Sequence, residues 1–218
     1  MSPTGAGSGS AANVQPGDIT VTASGDGLTL STRASTLLSN QMTFSGTATG
    51  QAAGQTVEIE RLGHETNWQW APTVQATVAG DGSFSAVWPT NHIGRFSFRA
   101  HIVQASGALP ASTLPAVTAT VYRSSIATQY GPGFYGQRTA CGHKLRPSTV
   151  GVANRTLKCG TLVGIYYDGR TLVVPVIDRG PYANHADWDL TEATGTALGI
   201  SGTATIGAVS LPSQPGHS

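Results

Sequence analysis

The chain has 218 residues, a formal net charge of +1 and only 11% charged residues against 28 glycines. So small a charge offers no field to steer nucleic acid or an anionic membrane surface, and no apolar run approaches the ~18 residues of a membrane span. Few charges with many Gly, Ser and Thr favour turn-rich β architecture over helices.

Residues 1–17 hold too little apolar content to order themselves and read as a flexible leader. They lack the basic-then-apolar pattern of a signal peptide and look like a mature-form linker. From Asp18 to Tyr122, alternating segments are punctuated by turn signals. Strands are predicted at 19–23, 42–48, 56–61, 73–78, 84–88, 95–102 and 116–121, with Ala79-Gly80-Asp81-Gly82-Ser83 as a strong turn. About seven short strands at this spacing are the pattern of a β-sandwich. The run from Gly82-Ser83-Phe84 through Trp88 to Phe96 and Phe98 resembles bacterial immunoglobulin-like domains, a likeness of fold that carries no chemistry. Trp68 and Trp70 lie in a polar stretch. They either stack on sugar rings or close one end of the sandwich core, and the second reading is favoured.

Arg123-Ser124-Ser125 is a short junction, after which the composition changes: Gly-Pro turns, both cysteines and five of the eleven acidic residues follow. Strands are expected at 126–130, 151–153, 162–167, 172–177 and 204–209, with Asp168-Gly169 as a hairpin turn. One helix is expected over 191–199, Thr191 or Asp189 near its start and Gly199 past its end. Its Gly195 and threonines make it poor in isolation, so packing must hold it. Residues 212–218 are a tail.

Two features carry chemistry. The apolar run 172–177 ends in Asp178-Arg179-Gly180-Pro181-Tyr182, so a strand end presents a carboxylate and a guanidinium. A second carboxylate, Asp189, follows between Trp188 and Leu190. The cysteines, Cys141 and Cys159, lack histidines at zinc-ligand spacing, so a disulfide is favoured over a metal site. A disulfide in turn implies an extracytoplasmic location.

Several motifs then appear in order: Gln129-Tyr130-Gly131-Pro132-Gly133-Phe134-Tyr135-Gly136, Arg138-Thr139-Ala140-Cys141-Gly142, Gly151-Val152-Ala153-Asn154-Arg155-Thr156-Leu157, Asp178-Arg179-Gly180-Pro181-Tyr182 and Trp188-Asp189-Leu190-Thr191. Together they resemble the rare lipoprotein A (RlpA)-like double-psi β-barrel. The resemblance covers residues 124–211 only, leaving 18–122 as the immunoglobulin-like sandwich. The expected fold is therefore all-β: a sandwich, then a six-stranded double-psi barrel with one or two short helices.

The resemblance implies a groove for peptidoglycan or another cell-wall glycan, lytic transglycosylase activity, and a Cys141–Cys159 disulfide as in one subgroup. It places catalytic carboxylates at Asp178 and Asp189. Substrate-binding positions follow at Tyr130, Tyr135, His143, Asn154, Arg179, Tyr182 and Trp188, with Tyr130, Tyr135, Tyr182 and Trp188 as a sugar-stacking wall shared with barrel core. His143 and Asn154 depart from the family pattern, which has an acidic residue and a histidine there. No metal, cofactor, nucleic acid or membrane-spanning segment is expected, and the protein is expected to act as a monomer. Two activities follow from the residues: a lytic transglycosylase, or a non-catalytic expansin-like wall-binding protein.

One protonatable carboxylate suffices for transglycosylation, because the muramic acid C6 hydroxyl is an internal nucleophile. Such a group needs a raised pKa, and Asp178 at the end of an apolar strand is a candidate, with Asp189 as its electrostatic partner or itself the acid. In an extended segment Asp178 and Arg179 point to opposite faces, which keeps the cation off the carboxylate. His143 is a further proton-donor candidate.

Overall fold

A computed structural model describes residues 19–104, 113–182 and 185–212; the expected leader and most of the tail lie outside these. The first strands are β1 (Thr20–Gly25), β2 (Leu28–Arg33), β3 (Ser35–Leu37), β4 (Gln41–Thr47), β5 (Thr56–Leu62), β6 (Ala71–Thr77), β7 (Ser83–Pro89), β8 (Gly94–Ile102) and the long β9 (Ala116–Tyr130). One sheet runs β1-β2-β4-β7; the other runs β6-β5-β8-β9, with β3 parallel to β9 at its edge. Alternation along the strands turns one face of each sheet inward. Phe44 from one sheet meets Phe98 from the other at 4.8 Å between ring centroids, and Trp88 packs edge-on against Phe96 at 5.9 Å. These rings and the valines and alanines of β9 form the sandwich core.

β2 and β3 are additional to the expected strands. The turn Asp26-Gly27, both at positive φ, joins β1 and β2 in a two-residue hairpin, with Gly25 opposite Leu28. Trp68 and Trp70 stay out of the sandwich core. Arg99 stacks on Trp70 at 4.3 Å, whereas Trp68 faces the second half of the molecule.

The second half comprises β10 (Val152–Ala153), β11 (Leu162–Tyr167), β12 (Arg170–Asp178), β13 (Trp188–Thr191), helix α1 (Glu192–Leu198) and β14 (Ala204–Leu211). The order β9-β13-β10-β12-β11-β14 returns to β9 and closes a six-stranded barrel. Its β10–β12 and β13–β9 pairs are parallel and the rest antiparallel, as a double-psi barrel requires. Val163, Ile165, Val174, Val176, Leu190, Leu198 and Ile206 fill it. Helix α1 starts as expected: Thr191 caps it, its side chain accepting from the Thr194 N–H, and Gly199 ends it in the left-handed conformation.

Residues 123–125, expected to be a junction, are strand. Arg123, Ser124 and Ser125 pair with Ala208, Gly207 and Ile206 of β14. Strand β9 is therefore continuous from the sandwich sheet into the barrel wall. Tyr122 and Tyr166 pack at 6.0 Å across the seam, and Gly207 leaves room for Tyr122, whose Cβ lies 3.0 Å from where a glycine substituent would sit.

Candidate active site

Strand register brings the two carboxylates together. On β10, Ala153 is the partner of Asp178 on one side and of Asp189 on the other. Two interstrand spacings put the two Asp backbones about 10 Å apart. On β13, Asp189 pairs in turn with Thr128 of β9. One row across the barrel wall thus reads Asp178, Ala153, Asp189, Thr128.

Period-two alternation alone would send Asp178 into the core with Val174 and Val176. A bulge prevents this. Val152 pairs with Val176 but Ala153 with Asp178, so Ile177 is an extra residue and the strand is re-aimed at its end. Gly151 makes the bulge possible: a Cβ there would stand 2.7 Å from Ile177.

Asp178 is fixed by backbone donors, its Oδ1 accepting the N–H groups of Ala140 and Arg179, each at 2.8 Å. Asp189 is half-buried, and Thr128 Oγ1 donates to its Oδ1 at 2.9 Å. Burial foremost, with help from the neighbouring Asp178 charge, raises its pKa above the usual carboxylate value, against the opposing hydrogen bond from Thr128. Tyr130, two residues along β9 from Thr128, puts its hydroxyl into the same region. That oxygen is buried against the Asp178 carboxylate, short of a well-formed hydrogen bond. Burial first, then the charges of Asp178 and Asp189, push its pKa up.

The other expected residues surround this row at varied distance. Arg179 turns away: its Nη1 donates to the Asn154 and Asp178 carbonyls at 3.4 and 3.3 Å, and its Nη2 lies 3.4 Å from Cys159 Sγ. It makes no ion pair with the Asp178 carboxylate, in keeping with opposed side chains. Asn154 organises its own loop, its Oδ1 accepting the N–H groups of Thr156 and Leu157 at 3.1 and 2.9 Å. His143 is exposed in the turn 139–143, where its N–H donates to Thr139 Oγ1 at 3.1 Å. Tyr182 is 80% exposed beside Asp178-Arg179, a free ring at the rim. Tyr135 is half-buried and its hydroxyl donates to Glu192, which raises its pKa. Trp188 belongs to the barrel core at 8% exposure, so its ring is not free to stack on a sugar.

Cys141 and Cys159 form the disulfide, Cα to Cα 5.7 Å. It ties the Ala140 donor of Asp178 to the Arg179 contact at Cys159. Thr128 and Arg155 were not singled out by the sequence. Arg155 Nη1 donates to the carbonyls of Pro181 and Ala186 at 2.7 and 2.8 Å, bracing the segment that follows Asp178. The signal for Thr128 is its place two residues before Tyr130, on the same face of β9. Among the described residues no group of three or more His, Cys, Asp or Glu could hold a metal ion, and no helix is long and apolar enough to cross a membrane.

The barrel segment is similar in sequence to known proteins. The family model described as lytic transglycolase matches residues 124–211. The chain is 37% identical over 98 residues to the "Probable endolytic peptidoglycan transglycosylase RlpA" of Synechocystis sp., covering 44% of this chain and 30% of that protein. It is 33% identical over 85 residues to the "Endolytic peptidoglycan transglycosylase RlpA" of Campylobacter jejuni, covering 37% and 31%. Among solved structures, the Streptomyces papain inhibitor is similar over 41% of this chain and 93% of its own, at 25% identity and a TM-score of 0.34. The match spans about a third of the length of these RlpA relatives. Residues 124–211 are accordingly an RlpA-like double-psi β-barrel of the lytic transglycolase type.

Proposed function

We propose that this protein is an extracytoplasmic lytic transglycosylase that cleaves the bond between N-acetylmuramic acid and N-acetylglucosamine in peptidoglycan. The observation that carries the reading is Asp189, a half-buried carboxyl with a raised pKa in register with a second carboxylate, Asp178. A carboxyl held toward its protonated form is suited to give a proton to a leaving oxygen.

The step balances without water. Asp189 donates its proton to the glycosidic oxygen as the bond to muramic acid C1 breaks. The muramic acid C6 hydroxyl attacks C1 and surrenders its proton to the Asp189 carboxylate. The products are a 1,6-anhydro end and a free 4-hydroxyl, with Asp189 restored. Asp178, locked by two N–H donors, supplies negative charge to the oxocarbenium-like transition state. Tyr182 provides an exposed face for a sugar ring. The positions where the family pattern has an acidic residue and a histidine are an exposed turn residue, His143, and a loop-capping one, Asn154, so the two aspartates are left to perform the chemistry.

The test is to incubate the protein with purified sacculi and analyse the released fragments by mass spectrometry. Fragments with 1,6-anhydro ends are expected. Binding to sacculi with no fragments released would replace the enzyme by a wall-binding protein.

A further inference from the structure

A hollow of the molecule lies away from the aspartates. A cleft of about 940 Å³ opens where the sandwich meets the barrel. Strand β9 runs through both halves, so its two walls are held by one continuous backbone. The sandwich wall carries Arg95 and Trp68; the barrel wall carries Lys158 with Leu162 and Val173.

Its charge is one-sided. Arg95 and Lys158 are exposed on opposite walls, and neither has a carboxylate partner among the described residues. The acidic lining residue, Glu65, is already engaged: Arg61 donates to both of its oxygens, and His92 stands 3.8 Å away. Two free cations therefore face an uncompensated space. Leu162 and Val173, 47% and 50% exposed, form an apolar floor next to them, and the half-buried Trp68 flanks it. An occupant that suits this lining is amphipathic and anionic: apolar faces for the floor and the indole, carboxylates for the cations.

The cleft is also physically joined to the aspartates. The loop 154–161 leaves the Asp178 backbone, where the Asn154 N–H donates to the Asp178 carbonyl at 3.2 Å. It then runs back along β12, where the Gly160 N–H donates to the Val176 carbonyl at 2.8 Å. Thr156, Leu157 and Lys158 on this loop line the cleft. From Asp178 back to Val173 is five residues of strand, about 17 Å. One extended polymer can span both places.

We infer that the cleft between sandwich and barrel is a second binding site, for the carboxylate-bearing part of the wall polymer whose backbone lies at Asp178 and Asp189, with Arg95 and Lys158 as its anion clamp. The inference rests on the wall-glycan reading above. It gives the sandwich a role in recognition. The carboxylates come either from the lactyl groups of muramic acid or from peptide stems attached to them.

The experiment uses the full chain carrying Asp189→Asn, so that ligands are not consumed, and measures affinity calorimetrically. Three probes are compared: a muramic-acid tetrasaccharide with free lactyl carboxylates, the same tetrasaccharide bearing peptide stems, and neutral chitotetraose. At least one acidic probe is expected to bind about tenfold more tightly than chitotetraose, and the tighter of the two identifies the carboxylate's source. Adding Arg95→Glu with Lys158→Glu is expected to abolish that preference, with chitotetraose affinity kept within about twofold. The single variant Lys158→Gln, in an exposed loop, reads the same effect at smaller amplitude and guards against misfolding of the double variant. Equal binding of all three probes, or a preference that survives the charge reversals, overturns the cleft site while leaving the wall-glycan reading standing. Failure to bind any probe overturns both.

Discussion

Asp178 and Asp189 share a single register partner, Ala153, although they lie on different strands and eleven positions apart in the chain. That relationship makes a pair of two separate carboxylates, and their surroundings divide the work. Asp189→Asn removes the proposed proton donor and is expected to lower the release of anhydro fragments by about 100-fold to 10,000-fold. Asp178→Asn keeps the oxygen that accepts from Ala140 and Arg179 but loses the charge, so a smaller loss is expected. A larger loss for Asp178→Asn than for Asp189→Asn would reverse the assignment.

The same burial that suits Asp189 to its role burdens the fold. A carboxyl whose pKa is higher folded than unfolded binds more protons in the folded state between those two values. The stability it contributes is full below the ordinary value of 3.8 and is lost as pH rises through the folded value. At neutral pH, Asp189→Asn is therefore expected to melt higher than the wild type, with the gap narrowing as pH falls toward 3.8. Thermal melts of both proteins across acid pH measure it; a gap that widens on acidification has the wrong sign for this account.

Tyr130 offers a test of function against packing. Its buried hydroxyl lies against the Asp178 carboxylate without a well-formed hydrogen bond, so Tyr130→Phe is expected to change stability little. Activity is expected to fall, in kcat more than in KM, because the hydroxyl shares its surroundings with the Asp178 and Asp189 carboxylates. Unchanged kcat would reduce Tyr130 to a wall residue.

Gly151 controls the bulge. In Gly151→Ala the new methyl must displace Ile177, the residue that re-aims Asp178. Overpacking of this kind costs about 1–3 kcal/mol, and activity is expected to fall with it. Chemical denaturation and sacculus digestion, run on one preparation, check both.

The Cys141–Cys159 bond closes a short loop around the site. Replacing both cysteines by serine is expected to cost about 3 kcal/mol in the chain-entropy model, and to loosen the Ala140 N–H that holds Asp178. Denaturant midpoints of the two proteins decide the first point.

Much of the fold is legible because its elements announce themselves locally. The alternation over 95–102, the Asp168-Gly169 hairpin and the Thr191–Gly199 helix need no distant partner to be read. What is hidden depends on pairing. Leu28–Arg33 has only two large apolar residues among threonines and serine, so β2 is plain only once Asp26-Gly27 is seen as a hairpin turn. Arg123-Ser124-Ser125 is a polar break in one dimension, but its strand character comes from β14, some eighty residues later. The same holds at the site. Asp178 and Asp189 are visible as motif carboxylates, whereas the bulge at Ile177 and the shared partner Ala153 exist only in the closed barrel. Trp188 reads equally well as a groove aromatic or as core, and its burial is decided by the strands around it.

The most direct measurement is digestion of sacculi in heavy-oxygen water, with the new sugar ends resolved by mass spectrometry. Intramolecular attack by the C6 hydroxyl predicts anhydro ends that carry no label in the wild type and are lost in Asp189→Asn. Labelled reducing ends would show that water, not the substrate's own hydroxyl, attacks C1, and would contradict the account.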